Sequence, residues 1–200
     1  MTSSPIKRCA WAGNDSLYIH YHDTEWGRPS FDDRYLFEKI CLEGFQAGLS
    51  WITILRKRDH FRNVFKNFDI DALCDFTDND IDRLTEDQGI IRHRGKITSV
   101  INNAKQCRIL TREECCSLSD FLWRYAPLSS ERPVHYDAQT LKKMTQCPSS
   151  VRLSRDLKKR GWTFVGPTTL YAFMQAVGMV NDHVEGCPCR SEIESQARLR

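Results

Sequence analysis

The sequence predicts a mostly α-helical protein, because helical periodicity runs through much of the chain and strand signals are scarce. In three segments apolar residues recur three and four positions apart, which is the spacing of one helix face. These residues are Leu36, Phe37, Ile40 and Ala47, then Ile97, Val100, Ile101 and Ala104, then Leu170, Phe173, Met174 and Val177. We therefore predict one buried helix in each segment.

Local signals add a short helix and a long connection. Thr77 with Asp80 three positions on forms a capping-box start, and the glycine of "DQG", at 87–89, is typical of a helix end. The polar stretch 128–150 contains prolines and predicts a connection with a short turn of helix. Neither signal changes the fold class.

Composition limits the class of protein and its location. With 200 residues and 40% hydrophobic content, the chain can bury a substantial core. It shows neither an N-terminal apolar run nor the roughly 20 apolar residues of a membrane span. We therefore expect no membrane partner and a cytoplasmic location, nucleoid-associated in a bacterium, or a nuclear one in a eukaryote. Nine cysteines, an odd number, favour reduced thiols or metal ligands over disulfides. The net charge of +3 permits nucleic acid binding without requiring it.

We treat residues 1–200 as one functional unit with a subdivision. A central helical block is predicted at about 32–125, and a smaller unit pairs residues 1–31 with residues 126–200. The chain shows no internal repeat that would suggest another organisation.

Histidine and cysteine cluster at both ends of the chain. The two segments are "RCAWAGNDSLYIHYHDTEWG" and "VNDHVEGCPCR", which carry Cys9, His20, His22, His183, Cys187 and Cys189. Two thiolates with two imidazoles form the closed ligand set that suits structural zinc. We choose Cys9, His22, His183 and Cys187, and leave open whether Cys189 replaces Cys187. From the residues alone, ordinary packed side chains remain an alternative.

Glu43 lies in "CLEGFQAGLSW" on the apolar face that Leu36 and Ile40 define. A buried carboxylate is costly unless something pairs with it, so its position indicates a ligand contact. A helix end near Gly44 would instead turn Glu43 into solvent. Nearby aromatic residues could form the walls of a site for a flat cationic ligand, or simply the core. They are Trp11, Tyr18, Tyr21, Trp26 and Trp51.

Two glycine-containing turns carry basic residues and precede helices. In "LTEDQGIIRHRGKITSVINNAK" the basic residues are Arg92, Arg94 and Lys96, and in "DLKKRGWTFVGPTTLYAFMQAVG" a basic helix end precedes a turn at 165–166. We predict that Thr168 or Thr169 opens the following helix. Free N–H groups at a helix start suit a phosphate. Taken alone, either segment favours the interpretation of an ordinary joint between helices.

The strings "YHDTEWG", "CLEGFQAGLSWITIL", "GIIRHRGKI" and "VNDHVEGCPC" resemble the 3-methyladenine DNA glycosylase I (Tag) family. That family lies within the helix-hairpin-helix superfamily of DNA glycosylases, and the resemblance runs from about Cys9 to Cys189. It implies a helix-hairpin-helix glycosylase fold with its hairpin at about 157–177. It also implies that one structural Zn²⁺ joins the N- and C-terminal segments. The implied zinc ligands are Cys9, His22, His183 and Cys187.

The resemblance also implies a substrate and a mechanism. We expect a monomer that flips 3-methyladenine out of alkylated double-stranded DNA and hydrolyses its N-glycosidic bond. The implied base pocket contains Trp11, Tyr21, Glu43 and Trp51, with Glu43 as the catalytic residue. Where the wider superfamily has a catalytic aspartate, this chain has Asn181. An alkylated purine is already cationic and needs no protonation to leave, so less catalytic help is required.

The remaining implied roles concern DNA and the reaction products. We expect Leu49 to fill the gap left by the flipped base, although it could equally be a core leucine. The residues expected to contact DNA phosphates near the hairpin are Lys158, Lys159, Arg160, Gly166 and Thr168. No lysine occupies a recognisable Schiff-base position, so we expect base removal without strand cleavage.

Two other functions stay open on the sequence. The chain could be a zinc-stabilised DNA-binding module without catalysis, in which case Glu43 would have no reason to lie among aromatic residues. It could also be a hydrolase with catalytic zinc, which would need an open coordination position that four protein ligands do not leave.

Overall fold

A computed structural model describes residues 7–198, with side chains through residue 195, and shows no strand in that range. The predicted segments 1–31 and 126–200 extend into residues 1–6 and 199–200, which lie outside the described range. The mostly α prediction is confirmed. The described helices are α1 (Ser16–Thr24), α2 (Asp33–Gln46), α3 (Trp51–Val64), α4 (Ile70–Cys74), α5 (Asp78–Glu86), α6 (Arg94–Glu114), α7 (Leu118–Trp123), α8 (Ala138–Lys143), α9 (Pro148–Lys159), α10 (Pro167–Ala176) and α11 (Pro188–Arg198).

Helix α2 lies at the centre of the molecule. Every residue from 36 to 45 on it is buried, and it packs against α3, α6, α7 and α10. The side chain of Asp32 accepts a hydrogen bond from the Tyr35 N–H at 2.7 Å and so caps its start. Burial of a large apolar side chain contributes about 1.5–3 kcal/mol, so this helix is held rigidly. Groups carried by α2 are therefore fixed in position.

One hydrophobic cluster contains buried residues from Tyr21 to Val180. Helices of the predicted central block and helices outside it share this cluster, and the boundary at about 125 stays a prediction. A second, small cluster joins Cys9 to Cys187 and Cys189. The two ends of the chain therefore meet on the surface of the main core.

The helix starts agree with some sequence signals and correct others. Thr77 and Asp80 form the predicted capping box of α5. The prediction that Thr168 or Thr169 opens α10 is wrong, because the helix begins at Pro167 with Gly166 as its N-cap. Proline has no N–H and a fixed φ, and both suit the first helical position.

The connection 128–150 holds more structure than the single turn of helix predicted. It contains a 3-10 turn at Ser129–Glu131 and the helix α8. The carboxylate of Asp137 accepts hydrogen bonds from the N–H groups of Gln139 and Thr140 and so starts α8. None of the helices within residues 7–198 is long and apolar enough to cross a membrane.

Candidate functional site

A cavity of about 580 Å³ opens beside α2, between the N-terminal segment and α10. Its lining includes aromatic side chains, the carboxyl groups of Glu43 and Asp182, and Gln175. The aromatic residues are Trp11, Tyr18, Tyr21, Trp26 and Trp51. Concave, mostly apolar sites with a few polar groups are typical of small-ligand binding.

Glu43 is buried in the wall of this cavity, with 5% of its surface exposed. Helix α2 continues to Gln46, so the alternative in which it ends near Gly44 and exposes Glu43 is excluded. Its Oε2 atom has no hydrogen-bond partner among the described residues. Burial raises the pKa of Glu43 to about 8, and the charge of Lys39 opposes the shift. A buried carboxylate with an unused oxygen is poised to accept a hydrogen bond from a ligand.

The aromatic side chains form two connected groups around Glu43. The rings of Tyr21 and Trp51 are buried, and their centroids lie 5.4 Å apart. Trp11 packs against Trp26 at 4.8 Å and against Tyr18 at 5.0 Å. The indole N–H of Trp51 is buried without a hydrogen-bond partner in the described chain. Such walls suit a flat ring that stacks and presents hydrogen-bonding edges.

Lys39 lies behind these walls, and the sequence analysis missed it. Its side chain is fully buried, with the ammonium 4.7 Å from the Tyr21 ring centroid and 5.3 Å from that of Trp51. Burial lowers its pKa to about 8, and Glu25 at 3.9 Å opposes the shift. The argument that identified Glu43 applies here too, because Lys39 lies four residues earlier on the same helix. Helix α2 therefore carries a buried lysine and a buried carboxyl group one helical turn apart, and each affects the pKa of the other.

Asp182 was also missed. Its carboxylate pairs with Arg132 and accepts hydrogen bonds from the Tyr171 hydroxyl at 2.6 Å and from Gln175 Nε2 at 2.9 Å. Asn181, by contrast, donates from Nδ2 to the backbone oxygen of Arg190 at 3.1 Å. Of these two neighbours in sequence, Asp182 is the one that lines the cavity.

The four residues chosen as metal ligands lie together and are all buried, with their ligand atoms within 4.8 Å of one another. The His183 Nδ1 atom lies 3.2 Å from His22 Nε2 and 3.6 Å from the sulfurs of Cys9 and Cys187. A zinc ion with N and S ligands at about 2.0–2.3 Å has tetrahedral edges of about 3.3–3.8 Å. The donor set and its spacing therefore fit zinc.

The outer nitrogens of both histidines are held by hydrogen bonds. His22 Nδ1 pairs with Asp23 Oδ1 at 2.7 Å, and His183 Nε2 with the backbone oxygen of Trp26 at 3.1 Å. These bonds leave His22 Nε2 and His183 Nδ1 directed at the sulfurs, as in histidines that bind metals. Burial raises the pKa of the Cys9 thiol to about 12, so a thiolate there needs a nearby cation such as Zn²⁺.

Cys189 and His20 lie outside this cluster. The sulfur of Cys189 lies 3.9 Å from His22 Nδ1, the nitrogen that faces away from the four ligand atoms. His20 is exposed on α1. The geometry therefore favours Cys187 as the ligand, with Cys189 beside it.

The residues expected to contact DNA near the α9–α10 loop (residues 160–166) differ in whether their side chains are free to meet a phosphate. Lys158 and Lys159 are exposed at the end of α9, and Thr168 is exposed on α10. Arg160 instead pairs with Glu114 at 2.6 Å and with Asp156 at 3.0 Å. Its guanidinium is therefore already used within the protein.

A turn after α2 presents Leu49 to solvent, with 42% of its surface exposed. Gly48 has φ of +82°, a left-handed conformation that favours glycine. Lys96 is buried rather than available to a phosphate, and its ammonium donates to the backbone oxygens of Phe45 at 2.9 Å and Ala47 at 2.6 Å. It thereby caps α2 and fixes the turn that carries Leu49.

The chain matches the family model described as methyladenine glycosylase over residues 11–191. It is 47% identical over 186 residues to a DNA-3-methyladenine glycosylase from Haemophilus influenzae, with 92% of this chain and 98% of the relative covered. It is 48% identical over 185 residues to DNA-3-methyladenine glycosylase 1 from Escherichia coli, covering 92% and 97%.

Comparison with solved structures also finds 3-methyladenine DNA glycosylases. A crystal structure of 3-methyladenine DNA glycosylase I (TAG) superposes with a TM-score of 0.83 at 48% identity, covering 92% of this chain and 99% of that one. The structure of the Staphylococcus aureus protein, described as the structural basis of 3-methyladenine recognition, has a TM-score of 0.84 at 33% identity, covering 94% and 98%.

Proposed function

Because the chain belongs to the methyladenine glycosylase family, we propose that it excises 3-methyladenine from alkylated double-stranded DNA. Such an enzyme is a hydrolase acting on N-glycosyl bonds. The observation that carries this proposal is the unpaired Oε2 of Glu43, buried in the wall of an aromatic cavity. A protein that only bound the DNA backbone would gain nothing from that costly arrangement.

The cavity supports recognition of a flipped base. A damaged nucleotide leaves the duplex for a cost of a few kcal/mol, less than an intact one. Its ring stacks on the aromatic wall that includes Trp51, and Glu43 accepts a hydrogen bond from its exocyclic amino group. A methylated ring carries positive charge, so the Glu43 carboxylate and the ring faces both attract it. Normal adenine lacks that charge and binds less well.

Bond cleavage then needs little acid catalysis. The alkylated base leaves as a neutral molecule once its bond to C1' breaks, and water adds to C1' to give an abasic site. Asn181 is consistent with this scheme because its amide holds the backbone near Arg190 and does not act as a base. Glu43 contributes by binding the charged base and holding it in the cavity.

We further propose that Cys9, His22, His183 and Cys187 hold one structural Zn²⁺. A closed shell of four protein ligands supplies folding energy and leaves no position for a reacting water. These ligands come from segments more than 160 positions apart, as the pairing of His22 with His183 illustrates. A cross-link over so long a loop stabilises the fold strongly. The same segments supply Trp11 and Tyr21 to the cavity, so metal and pocket are structurally linked.

DNA contacts are proposed around the α9–α10 loop, acting as the hairpin of a helix-hairpin-helix motif. Lys158 and Lys159 are exposed to meet phosphates, and the start of α10 at Gly166 and Thr168 offers backbone N–H groups. Arg160 has a smaller share in this contact because its carboxylate partners occupy it. We propose that the chain acts as a monomer.

The product of the reaction tests the proposal. Incubation with methylated duplex DNA is expected to release 3-methyladenine and to leave the strands intact until alkali is added. The measurement is the free base by chromatography together with strand length on a denaturing gel. Breaks before alkali treatment would contradict the proposal of base removal alone, and a folded protein that releases no base would contradict the glycosylase activity.

Replacing Leu49 by alanine is expected to lower kcat/KM on duplex DNA by about tenfold, since loss of an apolar wedge removes about 1.4 kcal/mol of support for the flipped state. Binding of free 3-methyladenine should not change, because Leu49 lies outside the cavity lining. Leu128→Ala is the matched control, since Leu128 is also exposed. Equal kinetics for the two variants would show that Leu49 is not the wedge.

A further inference from the structure

Phe164 in the α9–α10 loop has a backbone conformation that is unusual for its residue type. Its φ is +56°, in the left-handed region that strains a bulky side chain, and 37% of its surface is exposed. Such strain persists only where the surroundings impose it, and it concentrates at functional sites. The contacts that hold Phe164 in this conformation are therefore of interest.

The surroundings that impose this conformation are hydrogen bonds on both sides of Phe164. The amide of Asn103 on α6 pairs with both the N–H and the carbonyl of Thr163, at 2.9 and 3.0 Å. The hydroxyl of Ser154 on α9 donates to the backbone oxygen of Val165 at 2.7 Å. Both neighbours of Phe164 are thus fixed to helices, and its side chain has a fixed direction.

That direction brings the side chain against α2 and the start of α6. A Cβ placed on Gly44 would lie 3.4 Å from the Phe164 Cβ, which shows how closely the loop and α2 approach. At Gly95 a Cβ would lie 3.7 Å from the tip of the Phe164 ring. The ring also meets His93 edge-on, with centroids 6.1 Å apart. Phe164 therefore lies where the loop and the two helices meet.

Two parts of the proposed mechanism border this junction. Gly44 directly follows Glu43, whose carboxylate lines the cavity. Gly95 directly precedes Lys96, whose ammonium fixes the turn that carries Leu49. A displacement of Phe164 would thus change the distance between the loop and both groups. It would leave the interior of the cavity untouched, because Phe164 does not line it.

We propose that Phe164 is a positioning residue that sets the loop at a fixed distance from Glu43 and Leu49, so that a nucleotide flipped from DNA held at the loop reaches the cavity. This inference rests on the proposed function, since it needs DNA to bind at the α9–α10 loop. It adds a residue that acts through geometry and contacts neither the base nor the reacting bond.

The test separates DNA binding from base binding. Phe164→Gly tolerates the left-handed conformation, so its thermal stability should be close to that of the wild type. We expect its affinity for duplex DNA with a tetrahydrofuran abasic-site analogue to fall about tenfold, and kcat/KM for excision to fall at least as much. Its Kd for free 3-methyladenine should stay unchanged, and Phe164→Tyr, which keeps the ring, should restore DNA binding.

Two results would overturn the inference. Wild-type DNA affinity in Phe164→Gly would show that the ring does not position the loop. Parallel loss of free-base binding and thermal stability would show that Phe164 only supports the core. The abasic-analogue measurement needs no catalysis, so it decides the inference even if the wild type releases no base.

Discussion

Replacement of Glu43 by glutamine is expected to abolish most base excision and to stabilise the fold at the same time. The amide keeps the shape of the side chain but cannot ionise to pair with the positive charge of the methylated ring. Removal of one such preorganised group in a buried site lowers rates by about 10²–10³. Single-turnover release of 3-methyladenine from methylated duplex DNA measures this loss.

The stabilisation follows from the pKa of Glu43. Its folded-state value of about 8 lies above the ordinary value near 4.3. At pH values between these two, the folded protein therefore binds one more proton than the unfolded chain. The free energy of unfolding of the wild type therefore falls as the pH rises from about 5 to 8. Glutamine has no such ionisation, so the stability advantage of Glu43→Gln over the wild type should grow as the pH rises through that window. Thermal melts at several pH values measure it.

Glu38→Gln provides a matched control on the same helix. Glu38 is equally buried, with 5% exposed, but its carboxylate pairs with Arg62 at 2.8 Å. Loss of that pair should destabilise the protein while excision per folded molecule is largely retained. A Glu43→Gln protein that excises at the wild-type rate, or whose stability advantage does not vary with pH, would contradict the assignment.

Cys187→Ser is expected to remove the zinc and a large part of the stability. Loss of one of four ligands should cost about 3–5 kcal/mol and lower Tm by about 10 °C or more, since bound zinc supplies folding free energy. Zinc content by mass spectrometry and thermal melts give the two readouts. Base binding should weaken too, because the same segments carry cavity residues such as Trp11.

Cys189→Ser is the control that tests whether Cys189 is a zinc ligand or only lies beside the ligands. Cys189 is also buried, but its sulfur lies 3.9 Å from the outer nitrogen of His22 and outside the four-atom cluster. We expect this variant to retain one zinc per chain and nearly the wild-type Tm. An equal loss of zinc and of Tm in Cys187→Ser and Cys189→Ser would contradict the proposed ligand set. Full zinc retention by Cys187→Ser would contradict it too.

The sequence was informative wherever periodicity or residue chemistry acts locally. The apolar stripes placed α2, α6 and α10, and a carboxylate on the stripe of α2 was enough to place Glu43 inside the protein. The positions of two cysteines and two histidines gave the cluster that the structure brings together. Each of these inferences depends on the residue type and its neighbours in the chain.

Apart from Lys39, the features that were missed depend on contacts between distant segments. The carboxylate of Asp182 is bound by Gln175 on α10 and by Arg132, and no local sequence pattern predicts these contacts. Lys96 was one of the basic residues noted at a helix start, but a lysine stem can be buried while its ammonium caps a helix from another part of the chain. Phe164 occupies a position where a turn signal would predict glycine, and only the surrounding hydrogen bonds explain it.

Two other functions remain useful comparisons. A zinc-stabilised module that only binds DNA does not explain why Glu43 and the indole of Trp51 are buried without hydrogen-bond partners in the described chain. A hydrolase with catalytic zinc needs an open metal position, whereas four side chains surround the site proposed here. X-ray absorption of the zinc-loaded protein, by counting ligands, distinguishes a closed site from an open one.

The most direct test of the central claim is release of free 3-methyladenine from methylated duplex DNA by zinc-loaded wild-type protein and by Glu43→Gln at equal folded concentration. We predict release by the wild type and a loss of about 10²–10³ in the variant, which should be at least as stable. No release by the folded, zinc-loaded wild type would contradict the account and leave a DNA-binding scaffold or an enzyme for another lesion.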